Sequence, residues 1–251
     1  MPLDQMAQAI KDIRHDKRMS MVDHLEELRQ RLIWILSTLG IGTVVGWIIS
    51  PQLRRLLQRP LGNIQLVFFA PSEALMAYIK IGFVFGLFVT APVMLYHLLG
   101  FCLPVTSAIV RRRIKQATAM GTVLFYLGAF FGFWFVCPNM FSYFLSFADA
   151  SLVPQLGINN YMSLIYGISI VFGLTFELPL VMVLLAQIKV INYWLLKNKR
   201  KYIILINALL AGVLTPGPDI ISQMLMFVPL TILFEIGVLL IYLMERNERR
   251  A

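Results

Sequence analysis

Residues 20–32 read SMVDHLEELRQRL, and a long apolar run, LIWILSTLGIGTVVGWIIS, begins at Leu32. Two adjacent carboxylates, Glu26 and Glu27, therefore stand at the mouth of an apolar segment. Asp23 followed by Glu26 has the spacing of a helix N-cap and its N3 acid, which accounts for Glu26 as local helix chemistry. Glu27 points about 100° further round the helix. It has an i+4 partner in Arg31, but such a pair contributes only a few tenths of a kcal/mol in water and hardly requires the residue. The chemistry that would require it is reception of a cation. Carboxylates take guanidinium in bidentate fashion, with a directionality that lysine does not reproduce.

Two more acids lie inside apolar stretches. Glu177, in VFGLTFELPLV, has apolar neighbours on both sides. An acid at a helix centre costs about 3 kcal/mol on insertion scales, so it is expected to face the bundle interior or a wet cavity. It is either a protonated side chain bonded to backbone freed by Pro179 or part of a polar path. Glu235, in LTILFEIGVL, reads as a second buried acid held by an interhelical hydrogen bond. Asp219 is placed to cap the helix that follows it, and Gln223 falls one turn into that helix, where an amide can reach a partner. None of the common catalytic or nucleotide-binding patterns occurs: no H-E-x-x-H, no G-x-S-x-G, no phosphate loop and no Gly-rich dinucleotide turn. No enzyme activity and no cofactor are expected. The three histidines are scattered and the two cysteines, Cys102 and Cys137, fall at opposite ends of adjoining spans, so neither a metal site nor a disulfide is expected.

The elements that must carry these residues are membrane helices. The chain of 251 residues is 59% hydrophobic and 14% charged, with mean hydropathy +0.75, where a soluble domain is about 45–50% apolar and about 25% charged. Apolar windows near 32–50, 75–97, 115–138, 161–187, 202–216 and 220–243 predict an all-α polytopic protein with six spans. The whole chain reads as one membrane domain: a polar extension over 1–20, a six-helix core over 21–243 and a tail over 244–251. The first 31 residues are polar, and no cleavable leader is expected. TPGPD at 215–219 breaks any helix, so the fifth and sixth helices are expected to be short and to form a tight hairpin. Segments 51–74 and 139–160 read as short helices or turns on the outer surface. Prolines 92, 104, 138, 179 and 229 mark kinks or helix ends in a bent scaffold.

Charge assigns the sides. Eighteen of the 22 Lys and Arg fall in 1–31, 98–115, 188–201 and 244–251, while the other connecting segments hold only three. The positive-inside rule places both termini in the cytoplasm, as an even number of spans requires. The net charge of +9 thus reflects orientation rather than nucleic-acid binding, and RRRIK at 111–115 reads as a contact for anionic lipid.

Several of these stretches together resemble the TatC family, the multispanning subunit of the twin-arginine protein translocase. They are HLEELRQRL at 24–32, RPL at 59–61, FAPSEAL at 69–75 with Lys80, APVMLYHLLGF at 91–101, FGLTFELPLV at 172–181, KNKRKY at 197–202, LTPGPDIISQ at 214–223 and VPLTILFEIG at 228–237. They keep the family order over roughly residues 20–240. The resemblance implies a bundle with a concave face in the bacterial cytoplasmic membrane. It implies a subunit that binds the signal peptides of precursors exported already folded, whose signals carry two consecutive arginines. Glu27 would be the carboxylate facing those arginines, with Glu26, Leu28, Arg29 and the loop aromatic Phe101 on the same surface. Glu177 would be the family's intramembrane glutamate, and Thr215 and Gln223 the polar positions that meet single-span TatA/TatB-type subunits. Pro60 and Asp219 match structural positions. Further copies and proton-motive force would complete transport. One departure stands out: the family usually has an acid just before the arginines of the first cytoplasmic loop, and this chain has Val110 there. Either Glu26 supplies a second carboxylate or arginine recognition is weaker or rearranged. The alternative is a secondary transporter with Glu177 and Glu235 as a proton relay. It would need a midplane substrate site and related halves, and no internal repeat is visible.

Overall fold

A computed structural model of the chain describes residues 21–59, 66–102, 108–149, 154–215 and 219–248. Among the described residues there are nine α-helices: α1 (Met21–Ile48), α2 (Ser50–Leu57), α3 (Pro71–Cys102), α4 (Ala108–Phe131), α5 (Cys137–Leu145), α6 (Ile158–Phe176), α7 (Leu178–Gln187), α8 (Tyr193–Leu214) and α9 (Ile220–Glu248). A π-helical turn, Gly132–Val136, joins α4 to α5. The expectation of a purely α chain needs one amendment. Residues Leu66–Val67 (β1) and Leu156–Gly157 (β2) form a two-residue parallel pair that ties the connection before α3 to the connection before α6. Backbone groups in such connections must find partners, and two extended stretches side by side supply them.

Among the described residues, five segments are long and apolar enough to cross a membrane: His24–Ile48, Pro71–Phe101, Arg111–Leu145, Ile158–Gln187 and Ile220–Asn247. α8 is different. Its 22 residues begin YWLLKNKRK, and only the part from Tyr202 onward is continuously free of charge. That part is about 20 Å long at 1.5 Å per residue, against a hydrocarbon core of about 30 Å. The expectation of a short last helix is wrong: α9 runs 29 residues, carries Pro229 inside it without interruption, and continues through MERNE beyond the apolar stretch. Hydropathy windows end where the lipid-compatible residues end, whereas a helix continues as long as its backbone bonds do.

Prolines act in two ways. Pro92 and Pro229 lie inside continuous helices, while Pro138 directly follows the π turn at the start of α5 and Pro179 follows the helix break at Glu177. Pro104 lies outside the described residues. Asp23 is not an N-cap, because the backbone is already helical at Met21. No Pro or Gly interrupts residues 3–39, so nothing in that stretch forces a helix to begin as late as Asp23.

The core is built where the helices approach closely. α1 crosses α3 through small residues: a Cβ on Gly46 would lie 2.6 Å from the Gly82 carbonyl oxygen, and one on Gly86 would lie 2.6 Å from the Thr43 nitrogen. Such small-residue crossings let membrane helices gain van der Waals contact where lipid offers no hydrophobic drive between them. The main cluster gathers Ile81, Val136, Met140, Met162, Ile165 and Phe172 from α3 to α6, together with Met226 and Leu230 of α9. A second cluster, with Met182, Leu196, Phe234 and Ile241, packs α7, α8 and α9. Large apolar residues such as Trp34, Trp47, Phe130, Val213 and Ile232 cover the outside, the surface expected of helices solvated by lipid.

Candidate functional site

The start of α1 packs against the end of α3. Arg31 connects them. Its Nε and Nη2 donate to Glu27 Oε1 at 3.0 and 2.5 Å, while Nη1 and Nη2 donate to the carbonyls of His97 and Gly100, each at 3.2 Å. Glu27 is thus tied into the interhelical contact, yet its side chain keeps 29% of its accessibility. One turn earlier, His24 stacks on Phe101 with ring centroids 4.3 Å apart and planes 16° from parallel. The sequence-predicted residues Glu27 and Phe101 therefore share one corner of the molecule, brought together by two contacts between α1 and α3.

The other residues expected on this surface are exposed. Leu28 projects outward. Glu26 faces Arg29, whose Nη1 donates to Oε2 at 3.2 Å, and both side chains remain more than half accessible. A pair so open contributes little to stability and can exchange partners readily. Val110 lies in the first turn of α4, followed by the exposed Arg111, Arg112 and Arg113. This end of the bundle, hereafter the basic end, also carries Lys197, Lys199 and Lys201 of α8 and Arg246 of α9.

Glu177 sits at the junction of α6 and α7, where the α-helical run breaks ahead of Pro179. It is buried, 6% exposed, and its own carbonyl accepts from Val181 N at 2.9 Å. Its carboxylate lies against α4, so close that a Cβ on Gly121 would be 2.9 Å from Oε2. Among the described residues Oε1 has no hydrogen-bond partner. The side chain therefore does not bond to backbone freed by Pro179 through that oxygen.

Glu235 makes the expected interhelical hydrogen bond but corrects the expectation of burial. It is not buried: its side chain is 37% accessible and accepts from Arg200 Nη2 at 2.5 Å. The charged half of α8 runs alongside α9 and supplies a cation where the sequence shows only apolar neighbours. The pair borders a cavity of about 620 Å³ with Tyr193, Thr231 and Tyr242. Glu177 thus lies against α4 while Glu235 pairs with Arg200 of α8, and the two acids stand in separate surroundings.

At the opposite end, Asp219 Oδ2 accepts from Ser222 N at 2.7 Å and caps α9. Gln223 Nε2 donates to the Ala208 carbonyl at 3.1 Å, and the buried Thr215 donates to the Gly212 carbonyl at 3.3 Å. Both polar side chains are engaged within the α8–α9 hairpin. Pro60 lies outside the described residues. Cys137 is a buried free thiol, and among the described residues no group of three His, Cys, Asp or Glu could hold a metal.

Sequence reasoning did not see the anchoring of Arg31 to α3, nor Gly100, which makes room for it: a Cβ there would lie 2.5 Å from Nη1. It also missed Gly121 beside Glu177. The available signal was a glycine directly before Phe101 in LLGF, which marks a close approach only once the facing helix is known.

These features define a polytopic helical membrane protein with a partly exposed carboxylate at its basic end and a buried one at a helix break. A family model described as Sec-independent protein translocase protein (TatC) matches residues 23–229. The chain belongs to the TatC family. It is 32% identical to the Sec-independent protein translocase protein TatC of Carboxydothermus hydrogenoformans over 93% of this chain and 97% of that protein. It is 30% identical to the TatC of Aquifex aeolicus over 92% and 98%. A crystal structure titled as the twin arginine translocase receptor TatC superposes with a TM-score of 0.78 at 30% identity, covering 88% of this chain and 98% of the other.

Proposed function

We propose that this chain is the receptor subunit of a twin-arginine translocase. It spans the bacterial cytoplasmic membrane six times, with α8 as the short fifth span and both termini in the cytoplasm. Its basic end receives signal peptides of folded precursors, the arginine pair meeting Glu27, with Leu28, Arg29, Glu26 and Phe101 forming the surrounding surface. The outer half of the α8–α9 hairpin, around Thr215 and Gln223, meets single-span TatA/TatB-type subunits. Further copies assemble on that nucleus, and proton-motive force drives transport.

The observation that carries this reading is the carboxylate of Glu27, held at the contact of α1 with α3 yet partly open, beside the stacked Phe101. With Val110 in place of the family's second acid, that carboxylate is the principal acceptor for the arginine pair. The exposed Glu26 is the next within reach on the same helix.

The test is photo-crosslinking from position 28 to a twin-arginine precursor in native membranes. The expected crosslink depends on the arginines: it weakens when both become lysine, and it weakens about tenfold or more in a Glu27→Ala chain, as loss of a charge-assisted bidentate contact implies. A crosslink indifferent to both changes, in folded and inserted protein, removes Glu27 from recognition.

A further inference from the structure

Arg31 is held on more sides than a helical i,i+4 pair requires. Two of its nitrogens donate to one oxygen of Glu27, Oε1, and two reach the carbonyls of His97 and Gly100 in the last turns of α3. Its side chain is only 17% exposed. Its seat is shaped by the absence of a side chain at Gly100. Among the described residues no hydrogen bond reaches Glu27 Oε2.

A carboxylate has two oxygens and about four acceptor positions. A glutamate left free on a helix surface spreads them over several rotamers, and a ligand must then order the side chain as it binds. Here one oxygen is held by Arg31, itself anchored to the end of α3, and this fixes the direction of the other oxygen.

We propose that Arg31 is a positioning residue for signal recognition: it clamps Glu27 through Oε1 and leaves Oε2 as the docking oxygen for the ligand's guanidinium. This rests on the role of Glu27 proposed above. It also assigns a source for the preference for arginine over lysine. A fixed acceptor rewards the planar, directional donors of guanidinium, whereas a mobile one accepts an ammonium nearly as well. Lysine at position 31 would keep the charge but could not reach Oε1 and both carbonyls with one planar fork.

The measurement is the ratio of crosslinking from position 28 for a twin-arginine precursor against the same precursor with two lysines. It uses the full-length chain in membranes, with melting temperature recorded for each purified variant. In Arg31→Lys the ratio is expected to fall about tenfold toward unity. Gly100→Ala changes no charge but pushes the guanidinium from its seat, and it is expected to lower the ratio in the same sense. A merely structural role would lower crosslinking to both precursors together and leave the ratio alone. An unchanged ratio in Gly100→Ala and in any inserted Arg31→Lys overturns the proposal. So does a rise in arginine-dependent crosslinking, because Arg31 would then be a competitor for Glu27. If the parent chain itself shows no arginine dependence, the receptor reading fails first. A parent ratio well above one with unchanged variants fails the Arg31 role alone.

Discussion

Gly121 and Gly128 stand two turns apart on α4, and each makes room for something different. A Cβ at Gly121 would meet the carboxylate of Glu177, the far end of a side chain that can turn aside. A Cβ at Gly128 would lie 2.4 Å from the backbone oxygen of Phe172, which cannot move without moving α6. Overpacking of this kind typically costs about 1–3 kcal/mol, with the larger values where nothing can yield. Gly128→Ala is therefore expected to lower the melting temperature in detergent more than Gly121→Ala does, and the reverse order would contradict the packing described. At this scale the sequence was readable for charges and nearly silent for their surroundings. Glu177 stands out because an acid amid apolar residues is conspicuous in any alphabet of residue types. Glu235 is equally conspicuous, yet its partner Arg200 lies 35 positions away on a helix whose polar half reads as a loop. The anchoring of Arg31 could not be read because its acceptors are backbone carbonyls, which every residue has.

Among the elements, α8 shows best what hydropathy misses. The apolar window at 202–216 identifies half of it, while residues 193–201 appear as part of a basic connection. The helix nonetheless starts at Tyr193, because two caps satisfy its first turn: Asn192 Oδ1 accepts from Leu195 N at 2.8 Å, and Glu245 of α9 accepts from Tyr193 N at 2.9 Å. Both acceptors also oppose the positive end of the helix dipole. Asn192→Ala is expected to cost about 1 kcal/mol. The measurement is limited trypsin digestion of membranes open on the basic side, where cleavage within residues 197–201 should quicken by roughly fivefold. An unaltered cleavage rate would mean that packing on α9, rather than the cap, holds the first turns. Of the two caps only Asn192, three positions before Leu195, was a short-range cue, and a membrane-span window averages it away; Glu245 is 52 positions from Tyr193.

For the whole molecule the question is which way it faces. The order and approximate limits of the long apolar segments followed from composition, because a bilayer imposes a length on whatever crosses it. The β1–β2 pair did not follow, since two extended residues carry no periodicity. In a chain with Cys102 and Cys137 replaced by alanine, single cysteines at Gln30 and Asn247 should react with an impermeant thiol reagent from the cytoplasmic side. One at Ser72 should react from the outside. Labelling of positions 30 and 247 from opposite sides would reduce the spans to an odd number and take α8 out of the membrane. The π turn at Gly132–Val136 has a further consequence for how this chain tolerates change in length. The Cys137 N–H reaches back to the Gly132 carbonyl, five residues earlier, so the turn holds one residue more than an α-helix needs. Losing a single codon there, for example that of Phe133, leaves an ordinary α-helical turn with both flanks in phase, and Met140 and Phe141 still reach the core. Losing Leu127 instead, within unbroken α-helix, swings everything downstream by about 100° and sends those two side chains into lipid. Deletion scanning of α4 and α5 should therefore find its one permissive window at that turn.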